Sequence, residues 1–69
     1  METADAAKLR RLILLADDRF RGEMARARYE RSLTDDPYDV DVLFYLEGAR
    51  RASMSIREYK RRLRELEAE

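Results

Sequence analysis

The chain contains no cysteine, no histidine and no tryptophan. Without cysteine and histidine it has no disulfide bonds, none of the usual zinc ligands and no histidine to activate a nucleophile. One proline and two glycines in 69 residues leave little that would interrupt a helix. No apolar run approaches the roughly 20 residues that span a bilayer. These absences argue against an enzyme, a metal or cofactor protein and a membrane-spanning protein.

Charged residues make up 43% of the chain, with 15 basic and 15 acidic side chains, and hydrophobic residues make up 45%. Disordered chains usually combine few apolar residues with high net charge, so this composition instead indicates helices with charged outer faces. A chain of this length forms one domain with a thin core. We therefore predict a single helical domain over residues 1–69, reinforced by a protein partner or by formation of a homo-oligomer. The acidic N-terminus has no hydrophobic signal region, which predicts a cytoplasmic location.

The N-terminal half shows apolar residues at helical spacing on both sides of two adjacent aspartates. A first helix is predicted over about residues 4–17, with Thr3 as its N-cap. Asp17 and Asp18 are interpreted as a break and as the cap of a second helix, which ends near Leu33.

The C-terminal half predicts two further helices. Asp36 is interpreted as the cap of a third helix that has Pro37 in its first turn and ends near residue 52. Ser55 and Glu58 form a capping box, which marks the start of a fourth helix. The predicted fold is all-α: a small four-helix bundle in which the last two helices form a helix–turn–helix.

Residues 46–66 resemble the helix–turn–helix of small DNA-binding proteins. Ala49 is the small residue that lets the two helices approach, Ser53 lies in the turn, Met54 fills the core and Ser55 caps the next helix. The resemblance implies that the helix starting at Ser55 is a recognition helix, whose outer side carries four basic residues: Arg57, Lys60, Arg61 and Arg64.

Basic residues are concentrated in this segment, with seven of them and only two acidic residues between positions 46 and 64. Such a patch is typical of nucleic-acid binding. We therefore predict a small regulatory protein that binds nucleic acid, with DNA as a candidate partner and with these contact residues: Arg50, Arg57, Lys60, Arg61 and Arg64. Two observations favour an alternative. Any antiparallel helical hairpin uses similar small residues and caps, and dedicated DNA binders usually carry positive net charge.

Residues 25–37 are similar to the second helix of a tetratricopeptide repeat, through Ala25, Tyr29, Ser32, Leu33 and the Asp36-Pro37 pair. The resemblance implies a helical hairpin that binds protein, although an array needs about three repeats. The alternative function is therefore a non-catalytic adaptor or a self-assembling protein. The apolar run at residues 43–46 cannot all face one core, so the predicted partner interface contains Leu43, Phe44, Tyr45 and Tyr59.

The aspartates at positions 35, 36, 39 and 41 form the main carboxylate cluster. A calcium-binding EF-hand loop needs glycine at its sixth position and glutamate at its twelfth, and neither is present here. Helix capping explains these aspartates better. No metal, cofactor or small-molecule substrate is therefore expected.

Overall fold

The computed structural model describes residues 3–68 and contains two long α-helices joined by a short loop. Helix α1 spans Ala4–Ser32 and helix α2 spans Val40–Ala68, with 29 residues in each. They pack together in antiparallel order as a helical hairpin, and no strand occurs within residues 3–68. The all-helical prediction is confirmed. The predicted four-helix bundle is wrong, because each predicted pair of helices is one continuous helix.

Helix α1 begins where it was predicted to begin. The Oγ1 atom of Thr3 accepts a hydrogen bond of 3.1 Å from the backbone amide of Ala6, as an N-cap does. The predicted break at Asp17 and Asp18 is wrong, since both residues are helical. Asp17 instead pairs with Arg21 one turn later, at 3.0 Å. This pair offsets part of the low helix propensity of aspartate.

The loop between the helices uses its aspartates as caps, but not where they were predicted. The side chain of Asp36 accepts a hydrogen bond of 2.9 Å from the amide of Tyr38 and so encloses Pro37 in a turn. The N-cap of α2 is Asp39, whose Oδ1 atom accepts a bond of 3.1 Å from the amide of Val42. The predicted cap at Asp36 and helical start at Pro37 are wrong, because the chain completes this extra turn first.

Helix α2 runs without interruption through Ser53, Met54 and Ser55, so the predicted helix–turn–helix is wrong. No residue in the described range 3–68 has the positive φ that a tight turn there would require. Serine inside a helix costs only a few tenths of a kcal/mol relative to alanine, so neither serine ends the helix. The basic residues beyond Ser55 therefore project from one long helix and not from a separate recognition helix.

The helices meet along a seam whose residues recur at alternating spacings of three and four, the heptad pattern of a coiled coil. Each seam residue is buried or half-buried. The α1 seam consists of Ala6, Leu9, Ile13, Ala16, Phe20, Glu23, Ala27 and Glu30. The α2 seam consists of Val42, Tyr45, Ala49, Ala52, Ile56, Tyr59, Leu63 and Leu66. This stripe keeps its phase through both predicted breaks, which explains why the helices continue there.

Two contacts between the helices show their antiparallel order. Near the loop, the Nε atom of Arg26 donates a hydrogen bond of 3.3 Å to the hydroxyl of Tyr45. At the other end, the guanidinium of Arg10 lies 2.7 Å from the carboxylate of Glu67. The first seam residues of α1 therefore face the last ones of α2.

The seam is narrow and contains mainly small side chains. The buried hydrophobic residues are Ala6, Ala27, Val42, Ala49, Ala52 and Leu63. Small residues at a helix contact reduce the distance between the axes, but they bury little apolar area. Many large apolar side chains consequently lie outside the core.

The hairpin is elongated and exposes a large surface. Its dimensions are 51 × 14 × 11 Å and its radius of gyration is 15.6 Å, against about 11 Å for a compact domain of this length. Its accessible surface of 5623 Å² is roughly a quarter larger than that of a typical folded monomer of the same mass. Within residues 3–68, neither helix has an apolar stretch long enough to cross a membrane.

Candidate nucleic-acid interface

Two sides of the hairpin flank the seam. In each helix, the residue that follows a seam residue lies on one side, and the residue that precedes it lies on the other. One side, here called the basic side, carries arginines at intervals of seven residues along α2. The α1 residues of the basic side are Ala7, Arg10, Leu14, Asp17, Arg21, Met24, Arg28 and Arg31. Its α2 residues are Leu43, Leu46, Arg50, Ser53, Arg57, Lys60, Arg64 and Glu67.

Contacts between the helices support this assignment. A shallow groove on the basic side is lined jointly by Arg28 and Arg31 of α1 and Leu46 of α2. The ion pair between Arg10 and Glu67 also joins the two helices on this side. The cations of α1 and α2 therefore form one continuous surface along the hairpin.

The basic side has eight cations and two carboxylates. Each carboxylate is close to an arginine: Asp17 is 3.0 Å from Arg21, and Glu67 is 2.7 Å from Arg10. The opposite side, here called the neutral side, has five cations and four carboxylates. Its α1 residues are Asp5, Lys8, Leu12, Leu15, Arg19, Gly22, Arg26 and Tyr29. Its α2 residues are Asp41, Phe44, Gly48, Arg51, Ser55, Glu58, Arg62 and Glu65.

Five cations of the basic side have no ion-pair partner within residues 3–68, and one of them, Arg31, donates a hydrogen bond of 3.2 Å to the backbone carbonyl of Asp36. The other four make neither kind of contact within this range, and they come from both helices. They are Arg28, Arg57, Lys60 and Arg64. All four are exposed. Unpaired, exposed cations can bind an anion without first losing a carboxylate partner, so these four are the strongest candidates for contact with a polyanion.

Three of the five predicted nucleic-acid contacts, at positions 57, 60 and 64, are among these unpaired cations. They line an open groove on the outer surface of α2, together with Met54, Glu58 and Arg61. Arg61 itself is held by Glu58 and Glu65, both at 2.5 Å. It lies on the outer edge of α2, between the basic and neutral sides.

The remaining predicted contact, Arg50, lies on the basic side but is already paired. Its guanidinium binds the carboxylate of Glu47 in a two-pronged arrangement, with bonds of 2.6 and 2.8 Å. Arg51 adds a third bond to the same carboxylate, at 3.2 Å. The hydrogen bond from Arg50, reinforced by Arg51, lowers the pKa of Glu47 from its usual 4.5 to about 2. Arg50 would therefore have to leave a strong acceptor to contact another anion.

The predicted partner interface is not one surface in the structure. Tyr45 and Tyr59 occupy seam positions and are half-buried against α1. Leu43 lies on the basic side and is 45% exposed, whereas Phe44 lies on the neutral side and is 68% exposed. The prediction that residues 43–46 cannot share one core is confirmed, but the exposed members face opposite directions.

Arg21, Arg28 and Arg31 belong to the basic side, and they are not among the contacts predicted from the sequence. Because α1 was predicted as two separate helices, the prediction did not contain the single heptad phase that places these three arginines beside α2. A signal was present in the sequence: Arg21 and Arg28 are seven residues apart, as are Arg50, Arg57 and Arg64.

The described residues do not contain a cluster of three or more acidic, histidine or cysteine side chains that could hold a metal ion. The surface grooves are open to solvent, and charged side chains contribute to the lining of each. The arrangement is therefore suited to binding an extended, charged partner along its length.

No family model matches the chain, and the searches of curated proteins and of solved structures gave no significant match. The charge and exposure of the two sides are therefore the basis for a functional proposal.

Proposed function

We propose that this protein is a non-catalytic nucleic-acid-binding protein that contacts the phosphate backbone with its basic side. The observation that carries the proposal is the set of four unpaired cations on one side of the hairpin: Arg28, Arg57, Lys60 and Arg64. Phosphate neutralisation by such cations supplies most of the affinity in sequence-independent binding. The helix–turn–helix geometry is not part of this proposal.

The zero net charge of the chain is compatible with this function because the charges are segregated. Five of the carboxylates that offset the basic side lie in the seam, at Glu23 and Glu30, and in the loop, at Asp35, Asp36 and Asp39. The Debye length at physiological salt is about 8 Å, so most loop carboxylates are screened from cations farther along the 51 Å hairpin. A phosphate at the basic side would therefore experience mainly positive charge.

The expected binding is independent of sequence. Base readout in the major groove requires side chains presented from an element that fits the groove. Here the cations are distributed over two antiparallel helices that lie side by side. The hairpin length corresponds to about 15 base pairs of B-form DNA at 3.4 Å per pair. A duplex slightly longer than this is a suitable probe.

Fluorescence anisotropy with a labelled random duplex of about 20 base pairs tests the proposal. If the four unpaired cations each neutralise one phosphate, log K should fall against log salt with a slope of about −3.6. Arg57→Ala/Lys60→Ala should reduce the magnitude of this slope by about 2 and weaken binding on every sequence. A duplex RNA of equal length distinguishes a DNA preference from general phosphate binding.

The matched control is Lys8→Ala/Arg19→Ala, which removes one lysine and one arginine from the neutral side. Both control residues are without an ion-pair partner within residues 3–68. This variant should bind with nearly unchanged affinity and salt slope. Equal losses in the two double variants, or no binding at about 50 mM salt, would contradict the proposal.

A second candidate function is protein interaction, and one observation favours it. Within residues 3–68, ten large hydrophobic residues are exposed, and seven of them lie within residues 29–46: Tyr29, Leu33, Tyr38, Val40, Leu43, Phe44 and Leu46. This is the end of the hairpin near the loop. Retention of a protein partner by the wild type, lost on Phe44→Ser but not on Arg57→Ala/Lys60→Ala, would support this function over the first.

A further inference from the structure

We propose that two copies of this chain pack through their neutral sides, in antiparallel orientation, with the two loops at opposite ends of the dimer. This inference concerns the neutral side only and does not depend on nucleic-acid binding. It rests on the exposed area, on the distribution of charge and on the positions of Leu15 and Gly22.

The available area matches that of a stable interface. A side of the hairpin measures about 51 by 14 Å, or roughly 700 Å² per copy. Specific interfaces usually bury about 800 Å² per partner. The hairpin exposes about 1,100 Å² more than a typical folded monomer of its mass, so the pairing would remove most of this excess.

Charge selects the neutral side over the basic side as the contact between copies. Two basic sides would bring six excess positive charges per copy against six more, and such like-charge contact is costly. The neutral side carries one excess positive charge, with both signs present along its length. A second copy can therefore approach it without strong repulsion.

Charge also selects the orientation. The loop half of the neutral side contains Arg19, Arg26 and Arg51, with one carboxylate, Asp41. The terminal half contains Asp5, Glu58 and Glu65, with two cations, Lys8 and Arg62. Placing the loops at opposite ends brings the more positive half of each copy against the more negative half of the other. Placing them at the same end would bring the two positive halves together.

The shape of the neutral side agrees with this orientation. Leu15 and Gly22 lie about equally far from the middle of α1, in opposite directions, at 1.5 Å of rise per residue. Antiparallel pairing therefore places Leu15 of each copy over Gly22 of the other. Leu15 is 65% exposed, and the space above Gly22 is open, because a Cβ atom there would meet nothing within 4 Å.

Sedimentation equilibrium of the full chain tests the pairing. The expected mass is twice the 8.2 kDa of one chain. Leu15→Gln should raise the dissociation constant of the dimer by about a hundredfold, because each dimer loses two leucine contacts. The matched control is Leu14→Gln on the basic side, since Leu14 is 66% exposed and Leu15 is 65% exposed. This control should leave the dimer intact.

A second pair of variants tests the open space above Gly22. Gly22→Arg should produce monomers, whereas Ala25→Arg on the outer edge of α1 should not, and both should keep the helical circular dichroism of the wild type. A mass of 8.2 kDa for the wild type up to high protein concentration would overturn the proposal. Equal effects of the Leu14 and Leu15 variants would do so as well.

The orientation has its own measurement. The chain has no cysteine, so Asp35→Cys in the loop supplies a single position for a spin label. Pulsed electron resonance should give a distance between the two labels close to the 51 Å length of the hairpin. A distance less than half of this would mean that the loops lie at the same end, which would overturn the proposed arrangement.

Discussion

The guanidinium of Arg26 in α1 lies 5.6 Å from the centre of the Tyr45 ring in α2, and its Nε atom donates a hydrogen bond of 3.3 Å to the hydroxyl of the same tyrosine. Tyr45 also occupies a seam position and is half-buried. The residue therefore joins the helices in two ways, through packing of its ring and through its contact with the cation.

Substitutions at Tyr45 should separate these two contributions. Tyr45→Phe keeps the ring and removes the hydroxyl, so we expect it to lower the free energy of unfolding by about 1 kcal/mol or less. Tyr45→Ala also removes the buried ring surface and should cost about 2 kcal/mol or more. Urea denaturation at one fixed protein concentration measures both. A larger loss in the phenylalanine variant would contradict the assignment of the ring to the seam.

Because α2 is continuous, replacing Asp39 and replacing Ser55 by alanine should change the stability of the hairpin in opposite directions. Asp39 caps α2, so Asp39→Ala should destabilise the hairpin by about 1 kcal/mol. Ser55 lies inside the helix, and Ser55→Ala should stabilise it by up to about 0.5 kcal/mol, because alanine has the higher helix propensity. If Ser55 instead capped a separate helix, its replacement would be destabilising. Thermal denaturation of both variants distinguishes these outcomes.

Much of the fold could be predicted from local signals in the sequence. The Thr3 cap, the end of α1 near Leu33 and the all-helical composition are recognisable because each depends on residues close together in the chain. The continuity of the helices depends on tertiary packing. Asp17 and Ser55 resemble N-caps, but such a residue marks a boundary between two helices only if the seam is also interrupted there. Here the seam continues, so both residues remain inside helices.

The candidate site also contains residues that could be predicted from the sequence and residues that could not. The cations of α2 that follow Ser55 could be recognised because they are close in sequence and charged. The contribution of Arg28 and Arg31 could not be recognised from the sequence, since it depends on how α1 lies beside α2 in the hairpin. The pairing of Arg50 with Glu47 could not be predicted either, because a charged side chain three residues away can equally remain solvated.

Two valines at the start of α2 offer a test of the core. Val42 is 1% exposed and Val40 is 78% exposed. Val42→Ala should lower the free energy of unfolding by about 2 kcal/mol, through loss of two buried carbon groups and the cavity left behind. Val40→Ala should change it by less than about 0.5 kcal/mol. Equal effects of the two substitutions would contradict the register of α2 against α1.

The last prediction concerns acid stability and follows from Glu47. Its pKa is lowered to about 2, mainly by the hydrogen bond from Arg50. A carboxyl group whose pKa is lower in the folded state contributes stability above its unfolded pKa and loses that contribution as the pH falls through the folded value. The Glu47 contribution should therefore be complete above about pH 4.5 and disappear towards pH 2. The pKa of Glu58 is lowered by Arg61 and then by Arg62, which acts in the same direction.

Carbon-13 NMR titration of the side-chain carboxyl groups measures this directly. The midpoint for Glu47 should lie near 2 in the wild type and should move back towards 4.5 in Arg50→Ala. Arg51→Ala should produce a smaller shift, since its single bond of 3.2 Å is longer than the two bonds from Arg50. In parallel, Glu47→Gln should flatten the loss of stability between about pH 4.5 and pH 2. An unshifted Glu47 midpoint in the wild type would mean that the Arg50–Glu47 pair is not maintained in solution.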